Sequence, residues 1–247
     1  MSQQYDLIAD NYDISFQLIP YRLHIEAYSI FKLLGSVEGL SVLDLATGTG
    51  YYARELKRRG ATRVVGVDIA APMIQVAEMA EQKEPAGITY FAQDAATYRS
   101  DEPFDIVLAA YLLHYAPTYE QLEKMAQGVA ANLKTGGRLV TYQLNPELSH
   151  EDGYYKQYGL DIKPSDPALD GGLTPFTVTM GGQTTPEIQA YRWNKTTIEK
   201  ALTEAGLTSI QWTRPEVSDA GVTQYGEEVW QTYLSNPHCV LLEAVKA

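Results

Sequence analysis

The sequence predicts an α/β fold, a doubly wound parallel sheet with helices on both faces, and three observations carry that prediction. Apolar runs too short for helices, at 42–45, 63–69, 88–92, 104–110 and 138–144, alternate with longer stretches of helical period. The stretch Ser41–Gly50, SVLDLATGTG, ends one such run in a loop of small residues that feeds a helix, a unit of the nucleotide-binding type. With 247 residues, 45% hydrophobic and 20% charged, the chain suits one ordinary domain with an insertion and is marginal for two independent cores.

In chain order, Tyr5, Ile8, Ala9 and Tyr12 repeat at i, i+3, i+4 and i+7, which sets two phenols on one helical face about 10 Å apart. This segment is either an amphipathic helix packed on the core or a lid. Pro20 opens a second helical stretch through Leu34, closed by Gly35 and Gly39. Val42, Leu43 and Leu45 then form the first strand, and Tyr51–Arg59 carries good helix formers. A second strand, Arg63–Ile69, has Asp68 at its carboxyl end. Pro72 suits the first turn of a helix whose apolar face is Met73, Val76, Ala77 and Ala80. The third strand, Ile88–Ala92, closes in Gln93, Asp94 and Ala95, and the fourth, Phe104–Ala110, runs into Tyr111, Leu112, Leu113, His114 and Tyr115.

Thr118–Lys134 reads as the best helix, with Thr118 and Gln121 as a capping box, and Arg138–Leu144 as the fifth strand. The alternation then stops. From Asn145 to Trp193 the chain is rich in proline, glycine and large aromatics, including Tyr154, Tyr155, Tyr158, Phe176, Tyr191 and Trp193, which suits a partly structured substrate cover. Helix resumes over Thr196–Ala205 with Thr196 and Glu199 as a second capping box, and Leu207–Trp212 and His238–Val245 are two more strands. The intervening Gly221–Asn236 is too long for a tight hairpin. The expected layout is a single domain: a helical lid over 1–40, a cofactor-binding core over 41–144, the substrate-cover insertion over 145–193, and the last part of the sheet over 194–247.

Nineteen basic against 31 acidic residues give a net charge of −12, which opposes phosphate-driven nucleic-acid binding. No apolar run approaches a bilayer span, and the polar, acidic start is unlike a signal peptide, so the cytoplasm is the expected compartment. The single cysteine, Cys239, sits in an apolar run and reads as core; the scattered histidines His24, His150 and His238 suggest no metal site.

Gly48, Gly50 and Ala53 fit the dinucleotide fingerprint, with Asp68 about twenty residues on. Asp44 leans elsewhere, because a carboxylate before the glycines repels a pyrophosphate and favours a cation such as a sulfonium or α-amino group. Ligands in such sheets bind at the carboxyl ends of the strands, where the glycine loop, Asp68, Asp94 and 111–115 converge. A dehydrogenase gives Asp44 and Asp94 no role; a ligand with a methionine tail, ribose and adenine uses all of them.

These residues resemble the class I S-adenosylmethionine-dependent methyltransferases. VLDLATGTG stands for the family's glycine motif, VVGVDIAAPMI for the ribose strand, QDA for the adenine loop, FDIVLAAYLLHY for the fourth strand and NLKTGGRLV for the approach to the fifth. The resemblance implies a Rossmann-like, mainly parallel seven-stranded sheet whose last two strands form an antiparallel hairpin. Ala46 replaces the usual first glycine, which stiffens the loop slightly, and Ala70 stands where a serine often caps the helix, a loss of about 1 kcal/mol. YDLIADNYD, GATRVVGVD, YLLHYA and YGEEVW look most like a bacterial small-molecule subgroup that includes the toxoflavin N-methyltransferase, which acts on a flat azapteridine.

The resemblance implies S-adenosylmethionine as cofactor and a small, flat heteroaromatic acceptor, N-methylated in secondary metabolism. Asp68 is expected at the ribose, Asp94 at the adenine amino group, Ala95 at the ring edge, Gly48 and Gly50 at the methionine portion and Tyr12 at its carboxylate. Asp44, Ala46, Thr47, Ile69, Met73 and Ala110 complete the expected cofactor set. Tyr111, Tyr115, Tyr191 and Trp193 are expected at the acceptor. His114 is either the candidate base, since its ordinary pKa lies near neutrality, or a histidine capping or packing beneath the site, and Tyr5 is either the alternative polar group near the methyl or a core residue. An O-methyltransferase, a nicotinamide-dependent oxidoreductase, and a binding protein that keeps the pocket without chemistry are the other functions the sequence allows.

Overall fold

The structure, a computed structural model, describes residues 15–247. The expected N-terminal helix and its Tyr5 and Tyr12 lie outside the described residues. After a short helix α1 (Ser15–Leu18), helix starts at Pro20 as the proline predicts and reaches Leu34, but its middle, Arg22–Ala27, is a π-helical turn that leads into α2 (Tyr28–Leu34).

Seven strands make the central sheet: β1 (Ser41–Leu45), β2 (Arg63–Asp68), β3 (Ile88–Ala92), β4 (Phe104–Ala110), β5 (Leu133–Leu144), β11 (Leu207–Thr213) and β12 (Cys239–Lys246), in the order β11-β12-β5-β4-β1-β2-β3. The pairs among β1 to β5 are parallel, and β12 runs antiparallel to both β5 and β11. Strand order therefore reverses between β1 and β4, the switch point at which such sheets leave a crevice.

The strands' two-residue period divides the core in two. Val42, Val64, Ile106 and Leu108 face α2, α3 (Tyr51–Arg58) and α4 (Ala71–Lys83), whereas Leu43, Leu45, Val65 and Val107 face α5 (Tyr119–Ala131) and α6 (Lys195–Glu204). In α4 the buried residues are Met73, Ile74 and Ala77, so Ile74 takes the place expected of Val76 and Ala80, which are only half-buried. No side chain caps α4, as Ala70 implied.

The two capping boxes fare differently. Thr118 Oγ1 accepts the N–H of Gln121 at 3.3 Å and starts α5, which ends at Ala131 because Leu133 already pairs in β5. In α6 the cap position is Asn194; Thr196 lies inside the helix, and Glu199 accepts the Trp212 indole N–H instead. The segment 145–193 forms two small antiparallel sheets, one of β6 (Leu160–Ile162), β8 (Phe176–Met180) and β9 (Gln183–Thr184), the other of β7 (Gly172–Leu173) and β10 (Tyr191–Arg192). Buried Arg192 ties them down by donating to the carbonyls of Pro146, Pro167 and Leu169. The last two strands pair antiparallel as expected, but two helices, α7 (Asp219–Tyr225) and α8 (Glu227–Ser235), join them instead of a hairpin turn. No helix among the described residues is long and apolar enough to cross a membrane.

Candidate active site

A pocket of about 760 Å³ opens at the switch point. Consecutive strand ends build it. The loop after β1 supplies Ala46 and Gly48; the end of β2 supplies Asp68 and Ile69, with Met73 from α4; the end of β3 supplies Asp94 and Ala95; β4 and its exit supply Ala110, Tyr111, Leu112 and Tyr115; α5 adds Gln121 and Met125.

The glycine loop takes the backbone where large residues do not go. Gly48 and Gly50 have φ of 56° and 82°, and a Cβ on Gly50 would lie 2.5 Å from the Tyr90 hydroxyl. Ala46, at φ 65°, is also left-handed. The expectation that alanine merely stiffens the loop is thus corrected: it holds a conformation that costs an L-residue about 1 kcal/mol.

Asp68 grips the loop as well as facing the pocket. Its Oδ2 accepts the Gly48 N–H and its Oδ1 the Ala70 N–H, both at 2.9 Å, and burial raises its pKa against those donors. Asp94 Oδ1 accepts the Ala96 N–H at 2.8 Å and shapes the turn that presents Ala95. That turn packs against Gly128 of α5 so closely that a Cβ there would sit 2.4 Å from the Ala95 carbonyl oxygen. Ile69 is 46% exposed at the rim, an apolar surface open to a flat ring.

Asp44, Thr47 and Gly50 do not line this pocket. Asp44 pairs with Gly66 in the register, below the rung of Asp68, and lies fully buried under the loop, where its Oδ2 accepts the Thr47 hydroxyl at 2.6 Å. Its Oδ1 has no hydrogen-bond partner among the described residues. Burial raises its pKa to about 7, the Thr47 hydrogen bond opposing and the Asp68 charge adding to the rise. An orphaned buried carboxyl oxygen under the loop, two acids at the rim and an exposed apolar ledge fit a ligand with a cationic tail, a diol and an aromatic ring.

A second pocket of about 670 Å³ adjoins the first and shares Tyr111 and Tyr115 with it. Its walls are largely apolar: Ile19, Leu144, Leu160, Ile162 and Phe176 among them. The cover expected over 145–193 supplies much of that wall, but not through Tyr191 and Trp193. Tyr191 pairs with Leu173 in the small sheet, and the Trp193 indole donates to the Ala116 carbonyl at 3.0 Å within the core, so neither lines either of these two pockets.

His114 and His238 both face the second pocket, and burial lowers each pKa to about 3. The Leu144 N–H donates to His114 Nδ1 at 3.2 Å, and His238 Nδ1 lies 2.7 Å from the Tyr233 hydroxyl. A neutral imidazole with so low a pKa is a poor acceptor of a proton at neutral pH, which removes the reason for expecting a base there.

Sequence reasoning missed Glu26. It is wholly buried, accepts from Arg22 Nε and Nη2 at 3.3 and 3.2 Å, and receives the hydroxyls of Tyr52 at 2.7 Å and Tyr111 at 2.6 Å. Tyr111 itself has φ 59°, so a strained residue stands between the two pockets with its phenol anchored on a buried carboxylate. Arginine and glutamate four apart ordinarily read as a solvated helix face.

Residues 42–137 match the family described as methyltransferase domain. Over 224 residues the chain is 26% identical to a demethylmenaquinone methyltransferase of Lactococcus lactis subsp. lactis, covering 84% of this chain and 82% of that protein. A crystal structure of an S-adenosylmethionine dependent methyltransferase from Mesorhizobium loti aligns with a TM-score of 0.64 at 21% identity, over 90% of this chain and 97% of that one. The DhpI-SAM-HEP complex aligns with a TM-score of 0.62, also at 21% identity, over 98% and 94%. Sheet order and the pocket at its switch point agree with the methyltransferase domain matched over 42–137 and with the fold of the S-adenosylmethionine-dependent methyltransferases it resembles.

Proposed function

We propose that the enzyme methylates a small, flat ring compound, and that the acceptor atom is a ring nitrogen, as in the azapteridine-methylating subgroup its motifs resemble. The observation that carries this reading is the second pocket, an apolar chamber of about 670 Å³ that meets the first at Tyr111 and Tyr115. Flat aromatic rings gain most from such walls, by area and by ring contacts with the two tyrosines.

S-adenosylmethionine, when bound, supplies a methyl group already activated on a sulfonium. The protein's part is alignment and exclusion of water. Asp68 would take the ribose hydroxyls, Asp94 the adenine amino group and Ala95 the ring edge, with Ile69 and Met73 against the ring. Gly48 leaves room for the methionine portion beside Ala46 and Ala110, and Asp44 lends negative potential from beneath the loop. Tyr12 is assigned to the methionine carboxylate and Tyr5 to the neighbourhood of the transferred methyl. A ring nitrogen with a free lone pair needs no base, which agrees with two histidines held neutral.

The relatives named demethylmenaquinone methyltransferase favour a second reading, a demethylmenaquinone-type acceptor. Incubation with methyl-deuterated S-adenosylmethionine and a panel of pteridines, a demethylmenaquinone-type ring and aliphatic amines separates them by product mass. Labelled pteridine is expected. Turnover confined to aliphatic amines would overturn both readings.

A further inference from the structure

The two histidines of the acceptor chamber have their Nδ1 atoms committed to the protein frame. For His114 the partner is the backbone N–H of Leu144, at 3.2 Å. A backbone N–H only donates, so Nδ1 must be the unprotonated nitrogen, and a neutral imidazole then carries its single proton on Nε2. The frame that fixes this is rigid: Leu144 is the last residue of β5, and the ring is held between Tyr111 and Tyr115, with centroids at 5.7 and 4.4 Å. His114 is 4% exposed, lines the chamber, and has no partner for Nε2 among the described residues. Among the described residues the other ionisable groups facing the chamber are Tyr21, Arg22, Tyr111, Tyr115, His238 and Cys239, and none of them is a carboxylate that would draw a second proton onto the ring.

We propose that His114 binds the methyl acceptor as a fixed hydrogen-bond donor through Nε2–H, so that the chamber selects rings bearing a lone-pair atom, a carbonyl oxygen or unprotonated nitrogen, at the edge that meets His114. The inference rests on the chamber being the acceptor site. It turns a general apolar slot into one with a polar point of attachment, and it changes the role of His114 from proton acceptor to selector. A buried donor left without a partner costs more than the bond contributes, so the chamber rejects a pure hydrocarbon of the same shape.

The test uses the full chain with S-adenosylhomocysteine present. Long-range proton–nitrogen NMR of the imidazoles should show Nε2 protonated for His114, unchanged from about pH 5.5 to 8. A proton on Nδ1, or titration within that range, overturns the proposal. Binding of 2-quinolone, a lactam ring, and of naphthalene, its hydrocarbon counterpart, is then measured on wild type and His114→Phe. Wild type should prefer the lactam by about fivefold or more, and the variant should lose that preference while still binding naphthalene. Equal affinities in wild type overturn the donor role alone. Failure of both probes to bind, or binding that leaves chamber resonances unmoved, overturns the acceptor-site reading and the proposal with it.

Discussion

Replacing Glu26 by Leu should be the most damaging single change outside the cofactor pocket. The carboxylate is 0% exposed and its Arg22 partner 6%, so the substitution removes the Glu26 charge from beside a guanidinium held in the interior. Breaking a buried pair in this way costs about 3–5 kcal/mol. The lower end applies here, because Arg22 also bonds to the Ser15 hydroxyl and stacks 3.9 Å over the Phe16 ring. Loss of acceptors for the Tyr52 and Tyr111 hydroxyls adds to the cost. At roughly 2–4 °C per kcal/mol for a chain of this size, Tm should fall by about 6–12 °C, read by calorimetry. Arg22→Met combined with Glu26→Leu removes both charges and should recover much of the loss. A Glu26→Leu variant within about 1 kcal/mol of wild type would refute the reasoning, since it would mean that water reaches the carboxylate.

Other consequences follow from single positions. Ala46→Gly relieves a left-handed alanine and should raise stability in urea by about 1 kcal/mol, with cofactor affinity kept; a loss of stability would deny the strain. Gly128→Ala drives a Cβ into the Ala95 carbonyl and should weaken S-adenosylhomocysteine binding at least tenfold in calorimetry, whereas wild-type affinity would show that the adenine turn tolerates displacement. The pKa values of His114 and His238, lowered to about 3, mean that the unfolded chain takes up two protons the native state refuses; stability from these groups is present above pH 6.5 and lost as pH falls toward 3. Asp44, raised to about 7, acts with the opposite sign, gaining stability for the native state as pH falls from 7 toward 4. Asp44→Asn should therefore make acid unfolding steeper than in wild type, and an unchanged acid limb would remove the buried-acid account.

The parts legible in the sequence are those where burial leaves a simple pattern. Parallel strands covered on both faces appear as unbroken apolar runs, so β1, β2 and β4 match their expected spans within a residue. The cofactor pocket was legible for the same reason, because residues that end consecutive strands share one edge: Gly48, Asp68, Asp94 and Tyr111 line one cavity. Asp44 shows the limit. It lies one residue inside the strand's end, and the two-residue alternation turns it under the loop with Val42, not out to the rim. The insertion was illegible in detail because strands of two to five residues bounded by Gly and Pro leave no period to read. Two of its aromatics misled in turn: Tyr191 pairs in a small sheet and Trp193 is a strut to Ala116, whereas Phe176 joins Leu160 and Ile162 in the chamber wall. Nothing in RLHIE says that Glu26 is buried, since the π-helical turn and the Tyr111 phenol that cover it come from distant choices of the chain.

The central claim is that Asp68 and Asp94 at neighbouring strand ends hold an adenosyl ligand in the pocket under Tyr111. Titration calorimetry of S-adenosylhomocysteine against wild type and Asp68→Asn tests it most directly, because the variant keeps the side chain's shape and removes its charge. The account predicts tight binding by wild type and a loss of at least tenfold in the variant, the usual scale for hydrogen bonds to a charged group. Equal affinity in the two proteins, or no binding by either, would contradict it.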